Sequence, residues 1–211
     1  MLDYLHDPQE IYRRSFATVR AEADLSRFAP NEAEIAVRMI HAAGQVEIAD
    51  RLVFSAGAAG AGLTALNDGA PVFCDTEMVA AGIIRDRLPA GNKVISILNA
   101  LGVAERAKAK TTTRSAAAVD LWDERMEGAI VAIGNAPTAL YRLLERLDEG
   151  APGPGLIVGL PVGFVGAAEA KAELAADSRG VPFITLTGRV GGSALAAAAV
   201  NALSTLAGKR Q

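Results

Sequence analysis

The sequence predicts an α/β fold, a single three-layer α/β/α domain with a mainly parallel sheet. Three observations carry this reading. Short runs rich in Val, Ile and Phe recur along the chain and are apolar throughout, as strands buried on both faces must be. Helical patterns separate them, which favours parallel pairing through crossover helices. No internal repeat, low-complexity linker or charge block interrupts the series, so residues 1–211 read as one domain.

Taken in order, residues 31–44 carry helix signals: Asn31 as a cap, Glu34 three residues on as in a capping box, and Gly44 as terminator. Val37, Ile40 and His41 share one face of that helix, and Glu34 pairs with Arg38 on another. The runs "VFC" (72–74), "KVISIL" (93–98), "AIVAIG" (129–134), "GLIVGLP" (155–161) and "PFITLTG" (182–188) read as strands. Helical patterns fall near 57–68, 77–87, 114–126, 137–148, 167–177 and 192–207. "EGAPGPGL" (149–156) fits a helix-to-strand turn.

Composition narrows the function classes. The formal net charge is −3 and no Lys/Arg tract stands out, which argues against a nucleic-acid surface. The one cysteine, Cys74, excludes an intrachain disulfide and fits a reducing compartment. The opening "MLDYLHDPQEIYRR" lacks the apolar core of a signal peptide. "GGSALAAAAVNALSTLAG" is apolar but built from small residues around Asn201, and reads as a buried or interface helix rather than a membrane span. A soluble cytoplasmic protein is expected.

The last three predicted strands end in "GNAPT" (134–138), "GLPVGFVGAAE" (159–169) and "GRVGGSA" (188–194), each leading into a helix. In a parallel sheet these turns line the carboxyl edge, where ligands bind. Their glycines leave backbone amides free to meet anionic oxygens. Asn135, Gly163, Gly166, Gly191 and Gly192 are therefore candidate binding positions, with Phe164 and Val165 either an apolar wall or packing for the next helix. Neither the dinucleotide fingerprint nor a P-loop is present, so a nucleotide-dependent enzyme is disfavoured. Metal-ligand spacing and a serine-hydrolase elbow are also missing, and the carboxylates of "CDTE" (74–77) are expected to cap the following helix. Thr113 and Arg114, in "TTTRSAAAVDLW" at a helix start, suit bidentate recognition of a carboxylate, and Ser15 and Arg20 can serve similarly. His41 in "AVRMIHAAG" is one of two histidines. On an apolar helix face it is either a core histidine bonded to a carbonyl or a catalyst that titrates near neutrality.

"SFATVRAEADLSRF", "VRMIHAAG", "GAPVFCDTEMVAAGI", "TTTRSAAAVDLW", "VAIGNAPTAL", "GLPVGFVGAAEAK" and "GVPF…GRVGGSALAAAAVNAL", in this order, resemble the precorrin-8X methylmutase family from about Tyr12 to Ala207. The segment "NALGVAERAKAK" before Thr111 contributes little to the resemblance. The resemblance implies an isomerase that moves a methyl group from C11 to C12 of precorrin-8X, giving hydrogenobyrinic acid, or that acts on cobalt-precorrin-8 to give cobyrinate. It implies an α/β/α homodimer without a cofactor and with sites near the subunit interface. The family's active-site histidine falls on His41 and its substrate-contacting serine on Ser15. A 1,5-sigmatropic shift needs a particular tautomer of the macrocycle, so one group exchanging a proton with the ring suffices. A non-catalytic tetrapyrrole carrier is the competing reading.

Overall fold

A computed structural model of the chain describes Leu2 and residues 4–208. Six strands form one sheet: β1 (Leu52–Phe54), β2 (Val72–Cys74), β3 (Val94–Ser96), β4 (Ile130–Ile133), β5 (Leu156–Gly159) and β6 (Phe183–Leu186), in spatial order β1-β6-β5-β4-β2-β3. The five strands expected from sequence are all present and mutually parallel. A sixth, β1, adds an antiparallel edge by pairing Leu52 with Leu186 and Phe54 with Ile184.

Side chains alternate across the sheet. Ile130, Ala132, Leu156 and Val158 face one core, and Val131, Ile133 and Ile157 face the other. The first core is covered by α4 (Ala58–Asn67), α5 (Glu77–Gly82) and α10 (Ser193–Gly208); the second by α8 (Pro137–Asp148) and α9 (Ala167–Ala176). Short helices α6 (Val103–Ala109) and α7 (Arg114–Val119) form a smaller cluster through Val103, Ala107, Ala117 and Ala118. Outside α10 lies α2 (Pro30–Ala43), which carries α1 (Pro8–Glu22) on its flank; α3 (Ile48–Arg51) leads from there into β1.

Several local expectations are corrected. The helix expected over 31–44 starts one residue earlier: Pro30 takes the first position, and Glu32, not Glu34, accepts from the Ala29 amide. Glu34 does not pair with Arg38; both its oxygens take the Arg20 guanidinium, at 2.8 and 2.9 Å. The segments expected as helices over 77–87 and 114–126 each break into a short α-helix and a separate 3₁₀ turn, at Arg85–Arg87 and Asp123–Met126.

The alanine-rich last helix is an interior element. Leu195 to Ser204 are all buried within one chain, against the sheet and the α2 layer, so the helix offers little apolar surface to a partner. Its polar residue is satisfied: the Asn201 amide donates to Gly82 O and its carbonyl accepts from Ile84 N, both at 2.8 Å. Small residues let α5 approach, since a Cβ at Gly82 would lie 2.7 Å from that of Ala197. Among the described residues no helix is long and apolar enough to cross a membrane.

Candidate active site

Helix α1 presents Tyr12, Ser15, Phe16 and Val19 at i, i+3, i+4 and i+7, one continuous face turned to α2. His41, in the last turn of α2, meets that face. Ser15 Oγ lies 2.7 Å from His41 Nδ1, and the rings of Tyr12 and Phe16 flank the imidazole at 5.6 and 5.1 Å, the latter edge-on. The imidazole is half-buried in the α1–α2 seam rather than sunk in the core. The carbonyl-bonded core histidine is not what the structure shows: the bonding partner is a side-chain hydroxyl.

His41 borders two clefts. One, of ≈ 250 Å³, runs between α2 and α10 and is lined by Tyr12, Arg38, Gly82, Ala194, Ala197 and Asn201 among others. The second, of ≈ 260 Å³, runs along α1 past Ser15, Thr18 and Val19. Both fall below the ~300–1,000 Å³ that encloses a small ligand. A large flat ligand seated at His41 therefore extends beyond either cleft.

Electrostatics at this point favour a neutral imidazole. Burial, and then the nearby Arg38 cation, push the His41 pKa below its ordinary value of 6.5. Arg38 stands one turn before His41 with its guanidinium 5.7 Å from the Phe16 ring centre. It is half-buried and has no carboxylate partner among the described residues; burial and Arg87 lower its own pKa. An unpaired, partly desolvated guanidinium is a ready partner for a carboxylate. Reading the sequence missed Arg38 by assigning it to Glu34, although its spacing of three from His41 places both on one face.

At the carboxyl edge, Thr113 caps α7 by accepting from Ala116 N at 3.2 Å and bonds Thr138 Oγ1 of α8 at 2.7 Å. Arg114 is exposed beside Asn99, 3.4 Å away. The turn after β4 is already occupied. Asp75, 1 % exposed, accepts from the amides of Gly134, Asn135 and Ala136 at 3.0, 2.9 and 2.8 Å. Those are the amides expected to face a ligand anion, so only the exposed Asn135 side chain is available there. Asp75 does not cap its following helix; Thr76 does, accepting from Val79 N. Burial raises the Asp75 pKa against the opposing pull of the three amides.

The glycines divide by role. A Cβ at Gly191 would strike the carbonyls of Leu160 and Pro161, and one at Gly134 would lie 2.7 Å from Ser193 Cα, so both serve packing. Gly163, Gly166 and Gly192 have φ of 152°, 77° and 132°, and turn the chain. Phe164 and Val165 pack on no helix: they are 85 % and 89 % exposed, with Arg189 over the Phe164 ring. The structure thus joins Ser15 to His41 and the 160–163 turn to the 189–192 turn. It does not bring Arg114, Asn135 or Phe164 to the lining of either cleft at His41.

Metal and thiol chemistry gain no support. Among the described residues no group of three His, Cys, Asp or Glu could hold a metal, and burial pushes the Cys74 thiol up to about 12.

A histidine held by a hydroxyl, beside a cation without a carboxylate partner among the described residues, on a layered α/β frame, offers the groups that an enzyme needs for proton exchange on an anionic organic substrate. Residues 10–206 match the family described as CbiC, Precorrin-8X methylmutase. The chain is 58 % identical over 205 residues to a precorrin-8X methylmutase of Pseudomonas aeruginosa, covering 97 % of this chain and 99 % of that one. It is 40 % identical to a cobalt-precorrin-8 methylmutase of Priestia megaterium, covering 95 % and 88 %. A solved structure of precorrin-8X methyl mutase from Thermus thermophilus superposes with a TM-score of 0.87 at 42 % identity, covering 96 % of this chain and 97 % of that one. The chain belongs to the precorrin-8X methylmutase family, isomerases of cobalamin biosynthesis.

Proposed function

We propose that the protein moves a methyl group between neighbouring ring carbons of precorrin-8X to give hydrogenobyrinic acid, with His41 exchanging the proton that sets the reactive tautomer. The observation carrying this reading is the Ser15–His41 contact at the mouth of the α2–α10 cleft. The hydroxyl at Nδ1 fixes the ring so that Nε2 is the nitrogen left to meet the substrate. Ala194, Ala197 and Ala198 of α10 give the cleft an apolar wall against which part of the macrocycle can rest. Arg38 receives a peripheral carboxylate; once that cation is neutralised, the imidazole regains proton affinity and can act as the acid. Thr113, Arg114 and the side chain of Asn135 form a more distant rim for other acetate and propionate groups.

Cobalt-free substrate is favoured over cobalt-precorrin-8 by identity: 58 % and 56 % to relatives named for the former, against 40 % for the first relative named for the latter. Homodimerisation, which the family resemblance implies, draws support from the exposed Val162, Phe164 and Val165 on the 160–166 turn and from clefts too small to enclose a tetrapyrrole. A monomer mass by light scattering at micromolar concentration would refute it. A cytoplasmic location draws support from the buried free thiol of Cys74.

The deciding experiment is incubation with precorrin-8X while recording the visible spectrum, since migration changes ring conjugation. His41→Asn keeps size and hydrogen-bonding capacity. General acid–base catalysis contributes ~10²–10⁴-fold, and turnover is expected to fall by about that factor while tetrapyrrole still binds. Conversion at the parent rate would make His41 structural, and binding without conversion by the parent protein would leave the carrier reading standing.

A further inference from the structure

Lys171 lies in α9 and is 1 % exposed, yet its ammonium has no carboxylate partner among the described residues. Its hydrogen bond is to the main-chain carbonyl of Val190, in the turn between β6 and α10. Burial, and to a lesser degree the second cation Arg51, lowers its pKa to about 8. Taking a lysine out of water without a counter-charge is costly, and a Met of similar length would fill the space more cheaply.

The Val190 turn is stitched to the turn after β5. Gly192 N donates to Leu160 O at 2.8 Å, Gly163 N donates to Arg189 O at 3.3 Å, and Gly191 packs on the Leu160 and Pro161 carbonyls. Four residues beyond Val190 comes Ala194, which lines the cleft at His41. Lys171 itself stands in the helix that the 160–166 turn leads into. The buried Lys171 side chain thus ties α9, which follows the first turn, to the second turn just ahead of α10.

We propose that Lys171 is a positioning residue for substrate binding: its hydrogen bond to Val190 locks the 189–192 turn, and with it the Ala194 wall of the His41 cleft. This rests on the cleft at His41 being the substrate site. The lock acts before chemistry, so it governs how well substrate is held rather than how fast the proton moves.

The test compares Lys171→Met, which removes the donor while retaining apolar bulk, with Lys171→Gln, which keeps a donor without the charge. Two readouts are taken on folded protein: amide exchange at Gly192, and KM and kcat with precorrin-8X. The expected result for Met is Gly192 exchange at least tenfold faster, KM raised about fivefold to twentyfold, kcat within twofold and melting temperature not lowered. Gln should recover most of both changes. Unchanged exchange at Gly192 in the Met variant overturns the lock, whatever the activity. Faster exchange with parental KM overturns the role in binding, as does a parallel fall of kcat and melting temperature. If His41→Asn converts substrate at the parent rate, the cleft reading fails, and the positioning role fails with it; Gly192 exchange alone then reports only on the turn.

Discussion

Arg38 and His41 stand one helical turn apart in α2, and burial, reinforced by the guanidinium of the first, holds the imidazole of the second below its ordinary pKa. The sign of the consequence is definite. The folded state binds fewer protons than the unfolded chain between 6.5 and the lower folded value, so stability from this residue is complete above pH 6.5 and is lost as pH falls through that window. With only two histidines, NMR titration resolves His41 directly. Its midpoint is expected below 6.5 in the free protein and higher in Arg38→Gln, which removes the neighbouring cation. A midpoint unmoved by that substitution would remove Arg38 from the electrostatics of the site.

Ser15 and His41 come from different helices, so their 2.7 Å contact both orients the ring and ties α1 to α2. Ser15→Ala removes the hydroxyl without filling space. A neutral hydrogen bond contributes about 0.5–1.5 kcal/mol, so kcat is expected to fall roughly threefold to tenfold. Single-turnover conversion measures this, and the melting temperature should change little because the contact is partly exposed. A loss as large as that of His41→Asn would show that Ser15 touches the reacting atoms itself.

What the chain discloses in advance depends on the distance over which each contact acts. Strands β2, β4, β5 and β6 are legible because they are buried at every position and so are almost wholly apolar, whereas β3, half-buried at the sheet edge, shows through its β-branched Val94 and Ile95. β1 is not, since it has three residues, partly exposed, and earns its place only by pairing with β6 more than a hundred residues on. His41 and Ser15 are individually legible, as chemistry placed on helical faces; their contact spans 26 residues and is not. The face of Tyr12, Phe16 and Val19 was available from simple i, i+3, i+4 spacing. Asp75 lies beyond such reasoning altogether, because local rules send a carboxylate to its own helix, and this one reaches 59 to 61 residues along the chain.

Asp75 accordingly supports a stability prediction. Removing it strands the amides of Gly134, Asn135 and Ala136 where α8 begins and where Gly134 abuts Ser193 of α10. Unsatisfied buried donors cost about 1–3 kcal/mol each, partly offset here by relief from burying a carboxylate. Asp75→Ala is expected to lose on the order of 2–4 kcal/mol, or roughly 5–15 °C in melting temperature for a chain of this size. Calorimetry or denaturant unfolding reads the loss. A melting temperature equal to the parent's would mean that water replaces the carboxylate at no cost.

Arg20 and Arg114 were equivalent as candidate carboxylate partners, and their surroundings separate them. Arg20 is committed to both oxygens of Glu34, each side chain about 40 % exposed, and such exposed pairs contribute only ~0–1 kcal/mol. Arg114 points into solvent at the start of α7, with a single long contact to Asn99. Arg20→Leu should therefore leave substrate affinity within about threefold of the parent, a small loss arising from looser seating of α1 on α2. Arg114→Leu should weaken binding of the carboxylated macrocycle about tenfold or more, the loss of one charge-assisted pair at ~1.5–3 kcal/mol, without change in melting temperature. Dissociation constants from quenching of Trp122 fluorescence or from calorimetric titration compare the two. The opposite ranking would move the anion-binding rim from α7 to the α1–α2 seam, next to Arg38.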